Sequence, residues 1–254
     1  MTTGPLVGGA MLVTGASNGI GRAIALAGAR AGADIALTYR ANEPGARDVE
    51  REIRGLGRRA VVLRVDLTDE ASVTALGPAV RDALGRVDVW VNNAGADVLT
   101  GSAATLSEIE KLDLLLAVDL RGTILSSWEA AKLLGAQEEG GVIINMSWDH
   151  VLTGMPGLNP QLFAAVKGGI SAFSKSLARS IAPRVRVNVL APGWIATSFS
   201  TSVAEGERRA IVESTPLKRW GTPEDVAAAA VFLASPGASF LTGQTILVGG
   251  GVVM

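Results

Sequence analysis

The chain has 254 residues, 48% of them hydrophobic and 19% charged, with a formal net charge of −1. That balance excludes a disordered chain and supplies no field to recruit nucleic acid or an anionic membrane surface. With no cysteine, disulfides, a thiolate nucleophile and thiolate-bound metal are excluded, and a reducing cytoplasm is the expected compartment.

Residues 1–9 lack the basic start and apolar run of a secretory signal, and later apolar runs are broken by glycine or charge short of a membrane span. In chain order, short Val/Ile/Leu runs predict strands at 11–13, 35–39, 61–65, 87–92, 142–146, 185–189 and 245–248. Between them, longer Ala-rich stretches predict helices over 20–31, 43–55, 69–84, 107–134, 161–181, 203–213 and 223–234. Thr68 ahead of Asp69-Glu70, and Pro223 followed by Glu224-Asp225, mark two helix starts: acids favour the positive end, and proline loses nothing in the first turn. Residues 193–222 are the least regular and read either as a mobile lid over a ligand or as a surface connection. Nearly all-apolar strands alternating with helices predict an α/β fold, doubly wound, with a seven-stranded parallel sheet and helices on both faces. No compositional break divides 1–254, so a single domain is expected.

The first strand runs into Thr14-Gly15-Ala16-Ser17-Asn18-Gly19-Ile20-Gly21 and then a helix. Glycines permit a tight turn and close approach of backbone to phosphate, and the helix start offers unpaired N–H groups. Strand, turn and helix in that order point to a bound dinucleotide.

The Gly-x-x-x-Gly-x-Gly spacing resembles the classical short-chain dehydrogenase/reductase family, which is Rossmann-type. Further pieces agree in order: Asp66-Leu67 after the third strand, Asn92-Asn93-Ala94-Gly95 after the fourth, Ala191-Pro192-Gly193-Trp194-Ile195-Ala196-Thr197 after the sixth, and Phe240-Leu241-Thr242-Gly243-Gln244 near the C-terminus. The resemblance runs from about residue 8 to 251. It implies that Gly15, Ser17, Asn18, Gly19, Ile20 and Gly21 cradle the cofactor phosphates. Asp66 and Leu67 would then lie at its adenine, and Asn93, Ala94 and Gly95 beside it. Pro192, Gly193, Trp194, Ile195 and Thr197 would flank the nicotinamide. At the end of the second strand, where an acid would bind the ribose hydroxyl of NAD, the chain has Tyr39 and Arg40. A missing acid and a phosphate-binding arginine favour NADP(H), although Asn18 stands where many NADP-binding relatives place a second basic residue.

Family members use a Tyr four residues ahead of a Lys on one helix, and here that stretch reads Phe163-Ala164-Ala165-Val166-Lys167. The proton donor is replaced by a bare ring, while Lys167 is kept and implies contact with the nicotinamide ribose. Tyr39, the only tyrosine, belongs to the adenosine end. The usual Asn is Asp119, and the usual Ser-Ser pair becomes Ser147-Trp148-Asp149-His150. Counting from the strand puts Trp148 at the serine position; counting back from Phe163 puts His150 there. Ser147 serves only if the loop shifts by one residue.

Two groups are candidates to replace the phenol. His150, the only histidine, follows Asp149, and a carboxylate-oriented His exchanges protons near neutral pH; it also reads as a polar surface residue. Asp119 either favours a cationic substrate such as an iminium, with Trp148 and Trp194 adding aromatic faces, or pairs internally with Arg121 or Lys167. Three function classes follow: an NADPH-dependent reductase of a small-molecule C=O bond with His150 as donor, or of a C=N bond with Asp119 or Asp149 stabilising charge; a non-redox lyase, isomerase or cyclase; or a non-catalytic NADP-binding protein. The first is favoured because the nicotinamide-side residues persist. Resemblance also implies a homotetramer, a dimer next, through 107–134, 161–181 and the apolar C-terminal Val252-Val253-Met254.

Overall fold

The computed structural model describes residues 4–254; residues 1–3, the start of the segment read as lacking a secretory signal, lie outside the described residues. Seven strands are present: β1 (Ala10–Val13), β2 (Asp34–Tyr39), β3 (Ala60–Arg64), β4 (Val89–Asn92), β5 (Gly141–Met146), β6 (Val185–Pro192) and β7 (Thr245–Val248). They form one sheet in the order β3-β2-β1-β4-β5-β6-β7, parallel throughout. The helices are α1 (Gly19–Arg30), α2 (Glu43–Gly55), α3 (Glu70–Thr74), α4 (Leu76–Leu84), α5 (Glu108–Leu115), α6 (Thr123–Ala136), α7 (Leu158–Ile181), α8 (Glu205–Ser214) and α9 (Pro223–Ala234).

Alternate strand residues face opposite sides of a sheet, and both sides are covered. Met11, Val13, Leu37, Val91 and Ile144 pack beneath α1, α2 and α9 with Ile24, Val49, Val226 and Leu233. Leu12, Trp90, Ile143 and Val187 pack on the other side with Val80, Leu134 and Leu177 of α4, α6 and α7. With no solvated face, the strands carry no polar alternation. The strand order turns back between β1 and β4, and the crevice above the carboxyl ends there is where such sheets bind ligands.

The structure departs from the sequence expectations in a few places. The helix expected over 69–84 is two, α3 and α4, joined at Ala75: Pro78 has no N–H for the carbonyl of Thr74, and its ring crowds that carbonyl. The helix expected over 107–134 passes through a wide π turn, Leu116–Gly122, which carries Asp119. β6 runs three residues further than expected, because β7 pairs with it up to Pro192. The irregular 193–222 holds a short 3-10 turn, Ser198–Thr201, and then α8.

Beneath the site, a chain of buried polar groups fixes α6 and α7 to the sheet. Trp90 Nε1 donates to Asn92 Oδ1 and Ser126 Oγ, both at 3.0 Å. Asn92 Nδ2 donates to Asn145 Oδ1 at 2.8 Å, and Asn145 Nδ2 to Ser174 Oγ at 2.9 Å. Satisfied networks of this kind hold one arrangement because any alternative strands a buried dipole.

Candidate active site

A cleft of 410 Å³ lies over the ends of β1, β2, β3 and β4, lined by Gly15, Ser17 and Asn18, by Tyr39 and Arg40, by Asp66 and Leu67, and by Asn93, Ala94 and Gly95. The glycine loop is bolted to the loop after β4. Thr14 Oγ1 accepts from the Asn93 and Ala94 amides at 3.0 Å, and Asn93 Nδ2 donates to the Thr14 and Gly15 carbonyls at 3.0 and 3.1 Å. Gly15 has φ +63°, and a Cβ there would stand 2.8 Å from the Ala94 Cα, so only glycine fits the turn. Helix α1 has no side-chain cap and no acid in its first turn, whereas α2, α5 and α9 are capped by Asn42, Ser107 and Thr222. Its leading N–H groups stay available for an anion, and the partial positive charge is not neutralised by the chain itself. A dinucleotide phosphate fits this cradle. Across it, a Cβ added at Gly19 would stand 3.9 Å from the Thr197 methyl, so the segment after β6 borders the glycine loop.

At the adenosine end Arg40 is exposed, and strand register sets Arg64 opposite Tyr39. Arg64 Nε donates to the Arg40 carbonyl at 3.3 Å. Arg64 is thus a second basic residue that sequence reasoning missed; its only signal was its place as the last residue of β3. Hydrogen bonds from the Thr68 amide and hydroxyl hold the Asp66 carboxyl below its ordinary range, with Arg40 and Arg64 adding to the effect. Burial and the neighbouring Glu43 push the Tyr39 phenol up. Leu67 and Ile195 turn their side chains into the core.

The end of β5 carries the second constellation. Ser147 is turned to α7, donating to the Lys167 carbonyl at 2.9 Å and accepting from Ser171 at 2.8 Å. Asp149 is fully buried, and its Oδ1 accepts from His150 Nδ1 at 2.6 Å. Its Oδ2 has no partner and sits where a Cβ on Gly193 or Gly249 would be. Burial pushes the Asp149 carboxyl up, against the opposing bond from His150. The His150 ring stacks on Trp148, centroids 5.0 Å apart and planes at 22°, and meets Trp194 at 6.0 Å. Phe163 packs against Trp148 at 6.4 Å. Both residues that competed for the serine position therefore belong to one stack.

Lys167 Nζ lies 2.8 Å from Asp119 Oδ2. Asp119 Oδ1 accepts from the Ala96 amide at 2.8 Å, so both oxygens are engaged, and the side chain keeps 1% exposure. Arg121, the other partner considered, pairs with Glu70 at 3.1 Å instead. Phe199 and Trp220, which the sequence reading did not single out, stack or tilt against Trp194 at 6.3 and 5.7 Å.

Among the described residues no helix is long and apolar enough to cross a membrane. The profile of a family described as Enoyl-(Acyl carrier protein) reductase matches residues 15–253. The chain is 37% identical over 252 residues to 3beta-hydroxysteroid dehydrogenase 1 of Eggerthella lenta, covering 98% of this chain and 95% of that one. It is 35% identical over 245 residues to a 3-oxoacyl-[acyl-carrier-protein] reductase of Synechocystis, covering 96% of each. A short-chain dehydrogenase of Burkholderia cenocepacia, solved in complex with NADP, superposes with a TM-score of 0.87 at 34% identity, over 98% of this chain and 99% of that one. With its glycine cradle, its strand order and these relatives, the chain belongs to the classical short-chain dehydrogenase/reductase family and is an oxidoreductase of that kind.

Proposed function

We propose that this protein is an NADP(H)-dependent reductase of a small-molecule C=O bond, with an active site that replaces the family's tyrosine by the Asp149–His150 pair. The observation that carries this reading is the 2.6 Å bond from His150 Nδ1 to a fully buried Asp149. It fixes the ring's orientation, and Nε2 makes no protein hydrogen bond among the described residues. With Nδ1 held by Asp149, Nε2 is the ring nitrogen that can hold and deliver the proton a carbonyl oxygen needs as it becomes an alkoxide.

When bound, NADPH supplies the hydride. Arg40, with Arg64 beside it, would hold the 2′-phosphate, in keeping with the relative solved with NADP. The α1 start with Gly15, Ser17, Gly19 and Gly21 would hold the pyrophosphate, and Pro192, Gly193 and Thr197 would flank the nicotinamide. Lys167, fixed by Asp119, would present its remaining ammonium hydrogens to the nicotinamide ribose. The C=N alternative loses Asp119, both of whose oxygens are engaged and buried; Asp149, the other carboxylate considered, keeps an unpartnered Oδ2 but is fully buried. The two curated relatives, named as a hydroxysteroid dehydrogenase and an oxoacyl reductase, are in keeping with carbonyl chemistry.

The test is loss of NADPH absorbance with a panel of ketones and cyclic imines. His150→Ala should abolish ketone turnover while Asp119→Asn retains it; the reverse pattern would favour the iminium reading. Tight cofactor binding with no turnover across the panel would defeat the reductase reading. The compartment we infer is the cytoplasm, and the assembly a homotetramer. For the latter, an apolar groove of 590 Å³ runs along Leu116, Leu120, Ile124, Leu125 and Trp128, with Trp128 56% exposed. A monomer by light scattering would remove that assembly.

A further inference from the structure

The chain is poor in aromatic residues, which make up 4% of it. Yet three of its five tryptophans and two of its five phenylalanines gather around its single histidine. They arrive from separate places: Trp148 and His150 after β5, Phe163 on α7, and Trp194, Phe199 and Trp220 between β6 and α9. The array runs Phe163, Trp148, His150, Trp194, then Phe199 and Trp220. Near-parallel pairs at 22° and 19° alternate with steep ones at 62°, 72° and 59°. Offset-parallel and edge-to-face contacts are the arrangements that ring quadrupoles prefer, so another planar ring extends the array without breaking it.

Trp148, Phe163, Trp194 and Phe199 are half-buried, while Trp220 is buried against Trp194. The charged groups nearby are paired or, like the unpartnered Asp149 Oδ2, buried. Asp149 is buried on His150, Lys167 is paired with Asp119, and Arg208 covers Trp220 at 5.5 Å while donating to the Ser200 carbonyl. A ligand seated here meets π faces and no free counter-charge.

We propose that the substrate of this site is a neutral aryl ketone, its ring laid against Trp148 and the Trp194–Phe199 pair and its carbonyl oxygen directed to His150. The ring-seating half of the proposal stands on the array alone, and the direction of the carbonyl rests on the reading of His150 as proton donor.

The experiment compares 1-tetralone with 1-decalone, its saturated counterpart on the same bicyclic skeleton, and with an aliphatic ketone bearing a trimethylammonium group. Binding is measured by quenching of tryptophan emission in protein saturated with NADP⁺, where no reduction can occur; kcat/KM is then measured with NADPH. Ring-on-ring contacts predict that 1-tetralone binds about tenfold more tightly than 1-decalone. Trp148→Leu and Phe199→Leu should each shrink that preference, and Trp148→Phe should keep it, in variants whose melting shows an intact fold. Equal or tighter binding of 1-decalone or of the cationic ketone would overturn the proposal. An aryl preference in binding without NADPH oxidation keeps the ring seat and defeats the proton-donor reading; oxidation without an aryl preference does the opposite.

Discussion

Replacing Lys167 by methionine tests whether the Asp119 carboxylate is as tightly enclosed as its contacts indicate. The change removes the partner 2.8 Å from Oδ2 and leaves only the Ala96 amide, on Oδ1. Breaking a buried ion pair by deleting one member costs about 3–5 kcal/mol, because the survivor remains charged and desolvated. Asp119 is 1% exposed and Lys167 12%, so some water reaches the vacated end and the lower bound, about 3 kcal/mol, is expected. For a chain of this length that corresponds to a fall of ~6–12 °C in melting midpoint. Asp119→Asn should cost far less, about 1 kcal/mol, since the amide oxygen still accepts from Ala96 and Lys167 can turn toward the cleft. The double variant Lys167→Met, Asp119→Leu should recover most of the loss. Urea and thermal unfolding without cofactor are the assays, because a ligand bound only to the native state would mask the difference. A midpoint shift under about 2 °C for Lys167→Met, or a double variant no more stable than the single, would refute the argument.

Arg40→Ser should raise KM for NADPH about tenfold and leave KM for NADH nearly unchanged, the loss expected for one charge-assisted phosphate contact; steady-state kinetics with both cofactors decide it, and parallel changes would remove Arg40 from the phosphate site. Phe163→Tyr, made in the His150→Ala background, should restore measurable ketone reduction if Lys167 still points at that ring; no gain would mean the pocket has been rebuilt around Trp148. Asp225 caps α9 with Thr222 and forms a two-point contact with Arg219 at 2.6 and 2.8 Å, and the arginine holds its carboxyl well below the ordinary range. A depressed carboxyl contributes stability that is complete above the unfolded carboxylate range and is lost as pH falls through the folded value. Acid unfolding should therefore be shallower in Asp225→Asn than in the parent chain, and unchanged acid sensitivity would deny Asp225 that role. Thr222→Ala, which removes the cap but leaves the arginine, should cost about 1 kcal/mol at neutral pH.

Much of the fold was readable along the chain, because its signals are local. Apolar runs broken by Ala-rich segments indicate a doubly covered sheet, and Gly15, Gly19 and Gly21 mark a turn whose requirement is steric. Boundaries slipped where a local rule had a competitor: Pro78 broke one helix, and pairing with β7 lengthened β6. Arg64 was passed over because its approach to Arg40 comes from the β2–β3 register rather than from spacing in the chain.

The sequence by itself determined which groups are present: a bare ring four residues ahead of Lys167, a carboxylate at Asp119, one histidine beside one aspartate, and no cysteine. Which of them meet was decided only by the tertiary structure. Lys167 and Asp119 are 48 positions apart along the chain and pair only because α7 packs against the π turn. Ser147 is taken up by α7, Trp148 and Trp194 close on His150, and Phe163 packs against Trp148. Composition and period record what each segment buries, but partners across the fold are chosen by packing, where an unmatched charge or dipole costs more than any local preference supplies.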